Sequence, residues 1–195
     1  MAKNKLELKN KINFLENYRN NTYRAYKNVD FNIVSKIIDL LDETIKRNNK
    51  IFVAGNGGSA SVSNHMMCDF IKGIKTSNKK KLPKVISLSN SIETITAISN
   101  DINFDMIFSY QLENYYEKGD CLICFSSSGQ SKNIINLIKY ANKKKIATVL
   151  IQGFGSLNKK IKLNYHININ YNDYGITEDI FSSLMHAISQ YIGKH

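Results

Sequence analysis

The run KIFVAGNGGSA at residues 50–60 decides the fold. Lys50 to Ala54 form a short, mostly apolar segment, and Gly55, Gly57 and Gly58 follow at once. A buried strand feeding a glycine-rich turn opens a βα unit. The glycines permit positive φ and let a ligand approach the backbone closely. The turn is not a P-loop, because G-x-x-x-x-G-K-[ST] is missing, and Ala60 breaks the G-x-G-x-x-G spacing. A helix over about 59–72 is expected next.

Downstream the alternation repeats. Residues 84–88 read as a strand, and 92–99 and 104–117 as helices separated by Asn100-Asp101. Residues 120–125 read as a third strand, 131–144 as a helix, 146–151 as a strand, 166–170 as a short alternating strand, and 177–192 as a closing helix. Upstream, apolar residues recur at helical spacing over 6–24 and again over 31–48. Strands that are continuous apolar runs, alternating with helices, indicate a parallel sheet covered on both faces. The expected fold is α/β, a three-layer α/β/α sandwich with a mostly parallel sheet. No repeat or interior linker divides it, so 1–195 is one domain, with 1–30 as an N-terminal helical extension.

Composition narrows the function classes. The 195 residues carry 43% hydrophobic and 22% charged residues, enough for a core and too few charges for a disordered chain. No apolar run reaches the roughly 18–20 residues of a membrane span, and the N-terminal stretch MAKNKLELKNKINFLENYRNN has no apolar core of a secretory signal. Cys121 and Cys124 are spaced C-x-x-C, as in a redox pair or half a zinc site. The run DCLICF around them reads better as a buried strand in which Cys is a small hydrophobe. A reducing, cytoplasmic location without membrane contact is expected.

The net charge of +11 invites a nucleic-acid reading, but only Arg19, Arg24 and Arg47 among the 27 basic residues supply the guanidinium fork that reads phosphates and guanine. No nucleic-acid partner is expected. The densest cluster, Lys72, Lys75, Lys79–Lys81 and Lys84, reads as a solvated loop. A basic surface would still attract a small phosphorylated substrate.

A second strand-to-helix turn carries more chemistry. Ser126, Ser127, Ser128 and Ser131 place four hydroxyls in six positions, just before a helix N-terminus. Free N–H groups, the positive dipole end and compact hydroxyl donors suit a phosphate monoester. An ordinary serine-rich turn with an N-cap is the alternative. Two histidine–carboxylate pairs ride on helices: His65 and Asp69 at i, i+4, and Glu178 and His186 two turns apart. Together they could form a metal site or an acid/base pair if the fold brings the helices together. His166 and His195 carry no such pattern.

The segments GNGGSASVSNHMMCDF, AISNDINFDMIFSYQLE, GDCLICFSSSGQSKNI and YGITEDIFSSLMHAI resemble the SIS (sugar isomerase) domain, most closely its phosphoheptose isomerase group, over about residues 30–192. The resemblance implies a flavodoxin-like sandwich, a homotetramer with active sites between subunits, and conversion of sedoheptulose 7-phosphate to D-glycero-D-manno-heptose 7-phosphate for lipopolysaccharide or capsule. It implies that Asn56, Gly57 and Gly58 contact the sugar, that Asn100 and Asp101 lie near it, and that Ser126, Ser127, Ser128 and Ser131 hold the phosphate. His65, Asp69, Glu178 and His186 fall where the group has a His-Glu-Gln-His set that binds a divalent metal, commonly zinc. Asp69 and His186 match the acid/base positions. Asp69 is one methylene shorter than the group's Glu, and Glu178 adds a charge where the group has Gln. A non-catalytic SIS module that binds a sugar phosphate or a protein is the competing reading; such modules tend to lose the helix-borne His and acid pairs.

Overall fold

The computed structural model describes residues 2–74, 82–158 and 160–195. Two helices, α1 (Ala2–Tyr26) and α2 (Phe31–Lys46), precede strand β1 (Lys50–Ala54). Then come α3 (Gly58–Asp69) with a π-turn over Phe70–Ile74, β2 (Lys84–Ser87), α4 (Ile92–Asp101), α5 (Ile107–Tyr115), β3 (Cys121–Ser126), α6 (Lys132–Lys143), β4 (Ala147–Gln152), β5 (Tyr165–Asn168) and α7 (Tyr174–Lys194). The five strands are all parallel in the order β2-β1-β3-β4-β5.

That order follows from strand composition and crossover handedness. β3 is buried along its whole length, as its run of apolar residues requires in a sheet covered twice. Parallel crossovers are right-handed, so the sheet grows one way from β1 to β2 and the other way from β3 to β5. The connecting helices therefore divide between two faces. One core packs α2, α3 and α7 through Ile37, Leu41, Met66, Phe181 and Leu184. The other packs α4, α5 and α6 through Ile98, Phe108, Leu112 and Leu137. Cys121 belongs to the first core and Cys124 to the second, so strand alternation keeps the two thiols on opposite faces. Burial pushes the Cys121 thiol up to about 12 and raises Cys124 as well, so neither behaves as a redox or metal thiolate.

Asn100 and Asp101, expected between two helices, are the last two residues of α4. The helix runs on because the Ile98 carbonyl accepts both Ile102 N–H (3.0 Å) and Asn103 N–H (3.1 Å), closing it two residues later. α7 likewise starts three residues earlier than its periodicity suggests. The Asp173 side chain accepts from Ile176 N–H and caps it. Lys75 and Lys79–Lys81 of the basic cluster lie outside the described residues.

α1 leans on the rest of the chain through its C-terminal half. Ala25 is buried, and Tyr18 Oη donates to Asp179 Oδ2 (2.7 Å) at the start of α7. Its N-terminal half leaves Leu6, Leu8, Ile12, Phe14 and Leu15 exposed. Among the described residues no helix is long and apolar enough to cross a membrane.

The seating of α7 depends on Phe181, which is fully buried and tilts against Phe125 at 5.7 Å between ring centroids. Phe181→Ala should destabilise the protein by about 3–5 kcal/mol, the cost of an aromatic cavity that neighbours fill only partly. Urea unfolding that shifts by less than about 1 kcal/mol would show that α7 is not anchored there.

Candidate functional site

In a doubly wound sheet, ligands bind beyond the carboxyl ends of the strands, where the strand order reverses. Here that point lies between β1 and β3, which pair in register from Ile51–Cys121 to Ala54–Cys124. The glycine turn leaves β1 and the serine turn leaves β3, so the fold sets these two segments side by side. Each is braced. Gly55 N–H donates to Ser89 Oγ, and that hydroxyl donates back to the Gly55 carbonyl (3.1 and 2.8 Å). Gly57, at φ 56°, occupies the left-handed region that glycine adopts without strain.

A closed ring of two amides joins the turns. Asn56 Nδ2 donates to Asn133 Oδ1 and Asn133 Nδ2 donates to Asn56 Oδ1, both at 2.9 Å. Asn133 is 1% exposed, and its Oδ1 also accepts from Ile134 N–H. Asn56, expected to contact a ligand, thus spends one donor and one acceptor on linking the loops. It keeps a second donor and lone pair for the cavity it lines.

That cavity, about 100 Å³, is lined by Asn56, Ser59, Phe125, Ser126, Ser127, Ser128, Ser131, Tyr174 and Glu178. The Ser126 and Ser128 hydroxyls accept from Gly129 N–H (3.1 Å) and Gln130 N–H (3.2 Å), which leaves their protons free to donate outward. Among the described residues Ser127 Oγ is buried with no partner, a costly state for a hydroxyl unless a ligand completes it. Ser131 stands at the N-cap of α6 and its side chain does not cap the helix, so its hydroxyl and the Lys132 and Asn133 N–H groups remain available. Among the described residues no lysine or arginine lines this space, so hydroxyls and backbone dipoles are left to favour an anion.

Glu178 enters the same cavity from α7. Its carboxylate accepts from the Ser59 backbone N–H and lies against Gly58, where a Cβ would collide with it. Burial pushes the Glu178 carboxyl above its ordinary value; the Ser59 hydrogen bond works against this and the nearby Asp179 charge adds to it.

Eight residues further along α7, about 12 Å at the helical rise, His186 meets α3. His65 Nε2 lies 3.3 Å from Asp69 Oδ1, His186 Nε2 lies 3.7 Å from Asp69 Oδ2, and the two imidazoles stand edge to face at 4.9 Å. One ligand atom from each of the three residues falls within 4.8 Å of the others. Ser189 Oγ donates to the His186 carbonyl (3.0 Å) and lies 3.4 Å from Asp69 Oδ2. Two imidazole nitrogens and a carboxylate oxygen, open to solvent on the His65 side, form the donor set of a borderline divalent cation with a coordination position to spare. Glu178, expected as a fourth ligand, is outside this group: two turns of α7 put it on the serine cavity instead. Asn100 and Asp101 line neither place. They are exposed, with Asn100 Nδ2 donating to Asp101 Oδ1 (2.8 Å).

Several residues of the site have no local signal. Ser59 is hidden in the helix start, and Asn133 bonds across 77 positions. Tyr174, whose ring is met edge-on by Phe154 at 5.1 Å, sits one residue beyond a cap that only the structure identifies.

Residues 13–153 match the SIS domain family. A phosphoheptose isomerase of Campylobacter concisus is 31% identical over 157 residues, covering 80% of this chain and 81% of that protein. One of Aliarcobacter butzleri is 35% identical over 152 residues, covering 77% and 78%. The solved phosphoheptose isomerase of Francisella tularensis superposes with a TM-score of 0.85 at 18% identity, covering 97% of this chain and 99% of that one.

The raised Glu178 carboxyl has a signed consequence. A group that holds its proton more tightly in the folded state favours folding below the ordinary carboxylate range, and that contribution is lost as pH rises through the raised value. Glu178→Gln keeps an acceptor for Ser59 but cannot ionise. It should therefore gain stability over the parent as pH rises above the ordinary carboxylate range. Urea midpoints for the two proteins that stay parallel over that rise would contradict the assignment.

Proposed function

Because the chain belongs to the SIS domain family, and within it to the phosphoheptose isomerases, we propose that it interconverts sedoheptulose 7-phosphate and D-glycero-D-manno-heptose 7-phosphate. The product would supply heptose for a surface polysaccharide, lipopolysaccharide or capsule, and the protein would work in the cytoplasm. The observation that carries the reading is the pairing, on one helix, of an anion cavity holding a buried, unpartnered Ser127 hydroxyl with a His65–Asp69–His186 cluster about 12 Å away.

The phosphate would sit on the Ser126, Ser127, Ser128 and Ser131 hydroxyls and the free N–H groups of α6. Such a remote anchor uses binding energy to orient the reacting end. The sugar chain would run along α7 past Asn56, Gly57, Gly58 and Glu178 to the cluster. There Asp69 takes the proton from the carbon next to the carbonyl, and His186 exchanges protons with the oxygens as the enediol forms and collapses. The cluster fits a divalent metal, zinc by its donor types, which one atom each of His65, Asp69 and His186 would hold and which would polarise the carbonyl oxygen, leaving the second Asp69 oxygen and the second His186 nitrogen for proton transfer.

A homotetramer with sites between subunits is part of the proposal. The exposed apolar residues of α1 support it, as does the solvent-facing position of Asn100 and Asp101, which a second copy could bring to the sugar.

Asp69→Asn keeps the shape of the acid but cannot take a proton. Turnover of sedoheptulose 7-phosphate, followed by NMR with zinc supplied, should fall by about 10²-fold or more while affinity for inorganic phosphate stays unchanged. Ser128→Ala combined with Ser131→Ala should do the reverse to binding, weakening phosphate about tenfold. Full turnover in Asp69→Asn would take Asp69 out of the mechanism.

A further inference from the structure

The serine turn rests on a buried post that no motif marks. Gln152, the last residue of β4, is 0% exposed, and its amide nitrogen points at carbonyl oxygens of two different segments. Nε2 donates to Phe154 O (2.6 Å) and Gly155 O (3.1 Å), with Ser128 O at 3.5 Å. The two segments are also stitched directly, Phe154 N–H to Ser127 O (2.7 Å) and Gly153 N–H to Ser126 O (3.3 Å). There is no slack between them. A Cβ on Gly129 would strike the Gln152 amide, and one on Gly155 would come within 2.6 Å of Ser128 O.

Three carbonyls around one nitrogen fix which way the amide faces. Oε1 must point the other way, and there it meets His166 Nε2 at 2.9 Å. An amide oxygen only accepts, so the imidazole carries its proton on Nε2. Burial lowers the His166 pKa, which keeps the ring neutral, and Nε2–H remains a donor in either charge state. The proton chain therefore has one sense: His166 to Gln152 to the carbonyls beneath the serine turn.

We infer that Gln152, oriented by His166, is a positioning residue for phosphate binding: it holds the Ser126–Ser131 turn, together with the Phe154 loop, in the shape that receives the anion. The inference rests on the phosphate reading of the serine cavity. Without the amide, carbonyls of Ser128, Phe154 and Gly155 would crowd one another with no donor between them, and the turn would have to be ordered by the ligand itself. Phe154 carries the effect to the rim, since its ring supports Tyr174 over the cavity.

The test uses the full chain with two readouts, amide hydrogen exchange in the absence of ligand and calorimetric binding of inorganic phosphate. Gln152→Glu replaces the donor with an acceptor. His166→Phe keeps a ring but removes the proton that orients Gln152, and His166→Gln restores a donor at the same distance along the side chain. Exchange over 126–131 and 153–155 should quicken in Gln152→Glu and His166→Phe while β1 keeps its protection. Phosphate should bind about tenfold or more weakly in both, and His166→Gln should recover most of each effect. Unchanged exchange in the serine turn of His166→Phe overturns the inference, even if Gln152→Glu fails to fold. Faster exchange in a protein whose parent does not bind phosphate would leave the post in place and overturn the phosphate reading instead.

Discussion

Two neighbouring parallel strands, β1 and β3, send their chains to opposite faces of the sheet, and the site depends on that divergence. Right-handed crossovers force it: growth toward β2 and growth toward β4 need helices on different sides. The gap it opens at the strand ends is where the two turns meet and a ligand can enter. The glycine turn and the serine turn fill that gap. The Asn56–Asn133 amide ring locks them at a fixed separation, so the cavity is shaped before any ligand arrives.

The same topology decides where the acid/base groups go. α3 follows β1 and α7 closes the chain, and both lie on one face, so positions four apart on α3 meet a single histidine of α7. Charge is handled differently at the two ends. Around the serines no cation lines the cavity among the described residues, and hydroxyls and backbone dipoles favour an anion, helped at long range by a net charge of +11. At the other end two imidazoles flank one carboxylate. A substrate with an anionic tail and a neutral, oxygen-rich head is sorted by this polarity.

Much of this was legible in the sequence wherever the signal is local. KIFVAGNGGS announces a strand and a ligand turn, SSSGQS announces hydroxyls at a helix start, and i, i+4 spacing puts His65 and Asp69 on one face. What was not legible depends on partners far apart in the chain. Glu178 and His186 share a face, yet two turns separate them, and only the packing of α3 against α7 shows that they serve different ends of the site. Gln152 and His166 look like a strand end and a stray histidine until strand pairing brings them together. Asn100-Asp101 misled because both residues commonly end helices; here the Ile98 carbonyl carries α4 past the first of them.

The most direct measurement is the isomerisation itself, run in deuterium oxide with sedoheptulose 7-phosphate and zinc and followed by proton NMR. Proton transfer through an enediol at a solvent-open Asp69 and His186 predicts an aldose phosphate that carries solvent deuterium at carbon 2, and ketose that slowly exchanges at carbon 1. Ketose that remains unconverted and unlabelled, in a folded protein that binds phosphate, would contradict the account and leave a sugar-phosphate binding module in its place.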